Sequence, residues 1–220
     1  MGTSLAWFVV ESVDAAAIAA ALDVKLTGQR GPREKFPLAL QRLPDGRSLV
    51  ISTNVDEPLF KTKPLGAISR LGRMFSGSMS ETVMYSGFAA WSKGRKSWSV
   101  EHQGDDDPLH LRSTGKLPKE VAALKESALE QQRAAGEDSE VDHVFELSLD
   151  LARRHAALDP YEIGDGEFEE LRIGFWRELW RKTFWWRLLI LLVAGVAAFF
   201  YAMRALAFGL DWIVTKLGWS

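Results

Sequence analysis

The sequence has no cysteine, so disulfide staples, thiol nucleophiles and thiolate metal sites are excluded, a usage that fits a reducing compartment. Only four histidines are present, which leaves few imidazoles for acid-base or metal chemistry. Phosphate-cradle signatures are missing: Gly28 and Gly31 are followed by no Lys-Ser or Lys-Thr pair, and the GRKS at 94–97 lacks its upstream glycine. Neither SGSMS nor YSGF forms a nucleophile elbow. Plentiful Asp and Glu do not by themselves pick out a catalytic pair, so no enzyme class is indicated. The opening MGTSLAWFVVES has no basic residue ahead of its apolar run and Ala6 where a myristoylation motif wants Ser or Thr, so neither a secretory signal nor a lipid anchor is expected there.

Net charge is also low, −2 over 220 residues, but it is unevenly spread. From Arg172 onward seven basic side chains face two acidic ones, giving +5, whereas the first 171 residues hold 20 basic and 27 acidic side chains, giving −7. An acidic body is a poor binder of phosphate backbones, so no nucleic-acid partner is expected.

The long hydrophobic run sits late, in FWWRLLILLVAGVAAFFYAMR at 184–204. Sixteen consecutive uncharged residues separate Arg187 from Arg204. A bilayer core needs about 20 helical residues, and a helix apolar on every side suits lipid better than a globular core. Six of the nine tryptophans lie at 176, 180, 185, 186, 212 and 219, bracketing the run as interfacial belts do. The run is therefore expected to be one transmembrane helix, anchored by Phe184, Trp185, Trp186, Arg187, Leu188, Leu189, Tyr201 and Arg204. The long side chain of Arg187 can extend toward the headgroups. Five basic residues lie between 172 and 187, and two follow the span. The positive-inside rule then places the N-terminal body on the cytoplasmic side of an inner (plasma) membrane.

Before the span, EFEELRIGFWRELWRKTFWW puts Phe168, Leu171, Phe175 and Leu179 at helical spacing. Residues 166–183 are expected to form a basic, Trp-rich amphipathic helix whose Arg172, Arg177, Arg181 and Lys182 meet anionic headgroups, or whose apolar stripe packs on the domain or a second subunit. Residues 205–220 are too short for another crossing and read as an interfacial helix with Leu206, Leu210, Ile213 and Leu217 on one face.

Residues 1–165 read as one α+β domain, an antiparallel sheet with helices packed on one face. LAWFVV has the length of a strand, VDAAAIAAALDV of a helix capped by Ser12 or Asp14, and KLTGQRGPREKF of a loop. Pro44, Asp45 and Gly46 turn a hairpin, residues 82–114 form a meander, and LPKEVAALKESALEQQRAAG is a helix stopped by Gly136. VDHVFELSL alternates like a strand and LDLARRHAAL reads as a short helix after it.

Two clusters remain as candidate contacts. The stretch 58–80 carries Lys61, Lys63, Arg70 and Arg73 and no acid, with Leu65, Ile68 and Leu71 at helical spacing, so it is expected to form a short basic amphipathic helix touching lipid or an acidic partner, or else a solvated surface helix. Symmetric pairing about Asp106 would set His102 across from His110, a pair able to share a metal, but zinc wants three or four ligands. No metal or cofactor is expected. The expected function is a membrane-anchored, non-enzymatic recognition protein with lipid contacts and a protein partner at the membrane. One form of it is an immunity protein against an envelope-delivered toxin. The alternatives are an assembly subunit, using the small Ala194, Gly195, Ala197 and Ala198 for helix packing, and a tethered metal-dependent enzyme.

Overall fold

The computed structural model describes residues 2–105, 107–136, 139, 141–163, 166–174 and 192–196. Nine strands make one sheet: β1 (Ser4–Val10), β2 (Val24–Gly31), β3 (Leu38–Arg42), β4 (Ser48–Ser52), β5 (Met74–Ser80), β6 (Tyr85–Ser92), β7 (Arg95–Gln103), β8 (Leu111–Gly115) and β9 (Phe168–Ile173). Their order across the sheet is β2-β9-β3-β4-β1-β5-β6-β7-β8. The pairs from β9–β3 through β7–β8 run antiparallel. Four helices accompany it: α1 (Ala15–Leu22), α2 (Thr62–Ile68), α3 (Lys119–Ala135) and α4 (His143–Ala156).

Local chemistry accounts for the elements that the sequence announces. Asp14 caps α1, its carboxylate accepting from the Ala17 N–H at 2.7 Å. The β3–β4 loop closes at Gly46, whose φ of +88° requires glycine, while Asp45 accepts the Arg47 N–H at 3.0 Å. Between β6 and β7, Lys93 and Gly94 both take positive φ, the two-residue turn whose twist matches the flanking strands.

Central strand β1 is buried from Leu5 to Val10, so both faces of the sheet must be covered. Leu5, Trp7 and Val9 join one apolar cluster with Phe75, Phe88, Trp98 and Val100 of the sheet and Val121, Phe145, Leu149 and Ala152 of α3 and α4. Successive strand side chains point to opposite faces, and on the other one Phe8 meets Phe60 at 5.7 Å between ring centroids, under the short turn Pro58–Phe60 and α2. α1 packs against α2 and β2. Helices thus lie on both faces, where the sequence led us to expect one.

Three segments differ from expectation. Val24–Gly31 is a strand, not a loop; it lies at the sheet edge, largely exposed, so it carries no apolar alternation. The alternation in VDHVFELSL belongs to α4, which starts at His143 under an Asp142 cap and runs unbroken to Ala156. Packed between the sheet and α3, α4 buries eight of its fourteen residues, so apolar side chains recur at every spacing. The helix expected over 166–183 does not begin there: residues 168–173 are β9, inserted between β2 and β3. Phe168 and Leu171 are both buried, and three residues apart in a strand they face opposite sides. Two-sided burial imitates helical spacing.

Arg172 belongs to β9 and contacts Glu170 at 3.1 Å. The chain divides into a unit of residues 1–172 and a second of residues 173–220. Arg177, Arg181 and Lys182, the interfacial helix of 205–220 and all of 184–204 except 192–196 lie outside the described residues. Residues 192–196 are helical, with Leu192, Val193 and Val196 exposed by 66%, 59% and 49%. Among the described residues no helix is long and apolar enough to cross a membrane.

Candidate recognition cleft

The histidine pair takes a different geometry from the one its spacing suggests. The β7–β8 register sets His102 opposite Leu111, not His110. His102 is fully buried, its Nδ1 2.6 Å from the His110 carbonyl oxygen and its Nε2 2.9 Å from Asp142 Oδ2. The His110 ring instead accepts the Gln103 N–H at 3.1 Å through Nδ1. Both His102 nitrogens are therefore committed, and the pair cannot share a metal. Among the described residues no group of three or more metal-ligating side chains converges.

What the His102 arrangement does is structural. Asp142 Oδ1 accepts the Val144 and Phe145 N–H groups, capping α4, while Oδ2 takes His102. Burial opposes ionisation of Asp142, but hydrogen bonds from His102 and the two backbone amides outweigh it and hold its carboxyl below the usual aspartate range. Nearby, Ser86 donates to the Phe145 carbonyl at 2.9 Å and Gln132 of α3 accepts the His143 N–H at 2.8 Å. The start of α4 is thus riveted to β6, β7 and α3. Gly104 makes room for the rivet, since a Cβ there would come within 2.7 Å of His102 Nε2.

The opposite face of β5, β6 and β7 is open. There a cavity of about 430 Å³ lies between the sheet, α2 and the 55–62 segment, large enough for a small ligand or a few side chains. Its floor is made of small residues in alternation: Ser76, Ser78 and Ser80 of β5 beside Gly87 and Ala89 of β6. The alternate β5 side chains, Phe75 and Met79, point into the sealed core. Period-two splitting of FSGSMS into an apolar and a hydroxyl face is the signal that could have found the cleft in the sequence.

Larger groups stand on this floor. Tyr85 folds over Gly87, where a Cβ would meet its hydroxyl at 3.0 Å. Burial raises the Tyr85 phenol above its ordinary value despite a hydrogen bond with Ser78, and the Glu101 and Asp56 carboxylates add to the rise. Tyr85 is therefore a neutral hydrogen-bonding group at physiological pH. The Trp91 indole N–H donates to Ser76 at 2.8 Å. Glu101 lies 3.4 Å from Lys96 Nζ, which also sits 6.0 Å from the Trp91 ring centroid.

The basic cluster of the 58–80 stretch is dispersed by the fold. Lys61 lines the cleft, 3.4 Å from Asp56. Lys63 lies within α2, exposed and without a described partner in the cleft. Arg70 packs beside Gly94 of the β6–β7 turn, and Arg73 stacks over Phe75 at 5.4 Å, on the sealed side. No single basic face results. The helix itself is shorter than expected, with Leu65 and Ile68 buried and Leu71 46% exposed beyond its end. It docks through Gly66, where a Cβ would lie 3.0 Å from the Gly94 carbonyl oxygen, and Ser69 accepts the Gly94 N–H at 3.0 Å. No family model, curated protein or solved structure matches the chain.

Proposed function

We propose that this chain is a membrane-anchored recognition protein whose cytoplasmic α+β domain binds a protein partner through the cleft between β5, β6, β7 and α2. The single observation that carries the recognition part is the cleft itself. A small-residue floor between aromatic groups and charged groups of both signs leaves shaped space on the sheet, and unlike the cavity of similar volume lined by Arg30, Leu40, Arg42, Glu167 and Glu169 it offers aromatic side chains beside its polar ones. The groups in it suit binding: hydroxyls, an indole, a neutral phenol and two ion pairs.

The anchor is supported by the sequence of residues 184–204 with its Trp and cationic flanks. The exposed apolar turn at 192–196 agrees, since exposed Leu and Val side chains are at ease in lipid. Tethering raises the concentration of the domain near a partner that is itself at the membrane. An immunity protein that neutralises a toxin crossing the envelope is one form of this function, and the −7 charge of residues 1–171 suits a basic toxin. An assembly subunit is the second reading, favoured by the small Ala194 and Gly195 on the exposed turn.

The test uses the full chain in its native membrane. Alkaline extraction should leave it in the membrane fraction, and reporters should place the N-terminus in the cytoplasm and the C-terminus outside. Ser78→Trp, which fills the cleft, should abolish co-purification of the membrane partner. Release by alkali overturns the anchor. A partner that survives Ser78→Trp but is lost when residues 184–204 are exchanged for an unrelated span favours the assembly reading.

A further inference from the structure

Lys96 occupies a position that a better cation could take. Its ammonium lies 3.4 Å from Glu101 Oε1 and 6.0 Å from the Trp91 ring centroid. A well-made charge-assisted hydrogen bond is about 2.7–2.9 Å long, and cation–π attraction fades beyond about 6 Å. The internal ammonium therefore touches both elements of a cation site at their outer limits. Both side chains of the pair are about one-third exposed, so Lys96 can swing into water without leaving a buried charge behind.

The rest of the cleft points the same way. Asp56 stands on the wall formed by the 55–62 segment, in an exposed and equally long pair with Lys61. Ser78 and Tyr85 place hydroxyl groups in the cleft, and the Glu101 and Asp56 carboxylates both act on the Tyr85 phenol. The two lysines of the cleft, Lys61 and Lys96, are already paired with Asp56 and Glu101, and a cation that displaces Lys96 would find carboxylate, hydroxyl and indole surfaces. The acidic body around it steers cations inward.

We infer that the cleft receives an arginine or lysine side chain of the protein partner, seated between Glu101 and the Trp91 indole in place of Lys96. The inference rests on reading the cleft as the recognition site and names the chemistry recognised there. Lys96 then acts as an intramolecular competitor: it keeps Glu101 paired in the free protein and is expelled when the partner docks. Arginine suits the seat better than lysine, because a planar guanidinium can stack on indole while hydrogen-bonding a carboxylate.

The experiment is calorimetric titration of the full chain in detergent micelles with N-acetyl-arginine methylamide, and with its neutral citrulline analogue as the control. Saturable binding of the arginine probe is expected, with the citrulline analogue and the Glu101→Gln variant each at least about tenfold weaker, the loss of one charge-assisted contact. Lys96→Met, which removes the internal competitor, should bind the probe about three- to tenfold more tightly. A merely structural Lys96 would give no such gain. Thermal melts of each variant identify any that fail to fold. Equal binding of the citrulline analogue, or unchanged or weaker binding by a folded Lys96→Met, overturns the inference. Absence of probe binding also overturns it, and if Ser78→Trp nonetheless abolishes partner co-purification, the cleft survives as the recognition site while its cation chemistry does not.

Discussion

The two faces of β5, β6 and β7 are made from the same strands, yet one is sealed and the other open. On the sealed face Phe88 stacks on Phe75 and meets Trp98 at a tilt, each at 5.6 Å between ring centroids, and His155 of α4 closes over all three. On the open face the alternate positions are Ser76, Ser78, Gly87 and Ala89, too small to fill the space under α2. The covers differ as well: α3 and α4 run 17 and 14 residues, α1 and α2 only 8 and 7. Over these three strands the large apolar side chains are thereby concentrated on one side, while the other keeps a cavity.

Substitutions that break this contrast should rank accordingly. Phe88→Ala, at a residue 1% exposed and in contact with Trp7, Phe75, Trp98 and His155, should cost about 3–5 kcal/mol in urea unfolding. Asp142→Ala should follow at roughly 2–4 kcal/mol, because it removes the α4 cap and leaves a buried His102 nitrogen without its partner. At the small end, Ser78→Ala on the open face should cost no more than about 1 kcal/mol, the worth of one ordinary hydrogen bond. A Ser78→Ala penalty as large as that of Phe88→Ala would show that the open face also carries the fold.

Acid sharpens the same contrast. Asp142 ionises more readily in the folded than in the unfolded chain. Its contribution is therefore present above the ordinary aspartate value of 3.8 and is lost as pH falls below it toward the folded value. Urea midpoints of the wild type and Asp142→Asn, measured from pH 7 to pH 3, should differ most at neutral pH and converge below about pH 4. A gap that widens on acidification would contradict the cap geometry. No comparable limb is expected from Tyr85, whose raised value keeps it neutral throughout this range.

How much of this was legible in the sequence depends on how many sides an element shows. α1, the Pro44–Gly46 hairpin and α3 could be read because each carries its own punctuation, Asp14 as a cap, Gly46 at positive φ and Gly136 as a stop, and β1 because its apolar run has the length of a strand. β2 was hidden because an exposed edge strand has no apolar face to display. β9 and α4 were misread for the opposite reason, since burial from two sides puts apolar residues at spacings that belong to the other period. The cleft was hidden because small residues give a weak signal, although the alternation of Ser76, Ser78 and Ser80 with Phe75, Gly77 and Met79 was there to be seen. His102 and His110 are neighbours, as their spacing about the turn implies, but a register shift of one residue makes His102 part of a helix rivet instead of a symmetric pair.

The central claim is that recognition uses the open face. The most direct measurement is photo-crosslinking in native membranes from a photoreactive residue at Val83, which lines the cleft mouth and is 43% exposed. The same probe at Val141, 50% exposed ahead of the α4 cap, serves as the sealed-face comparison. A discrete membrane-associated adduct from Val83, absent from Val141 and lost on Ser78→Trp, is the predicted result. An adduct from Val141 with none from Val83 would contradict the account.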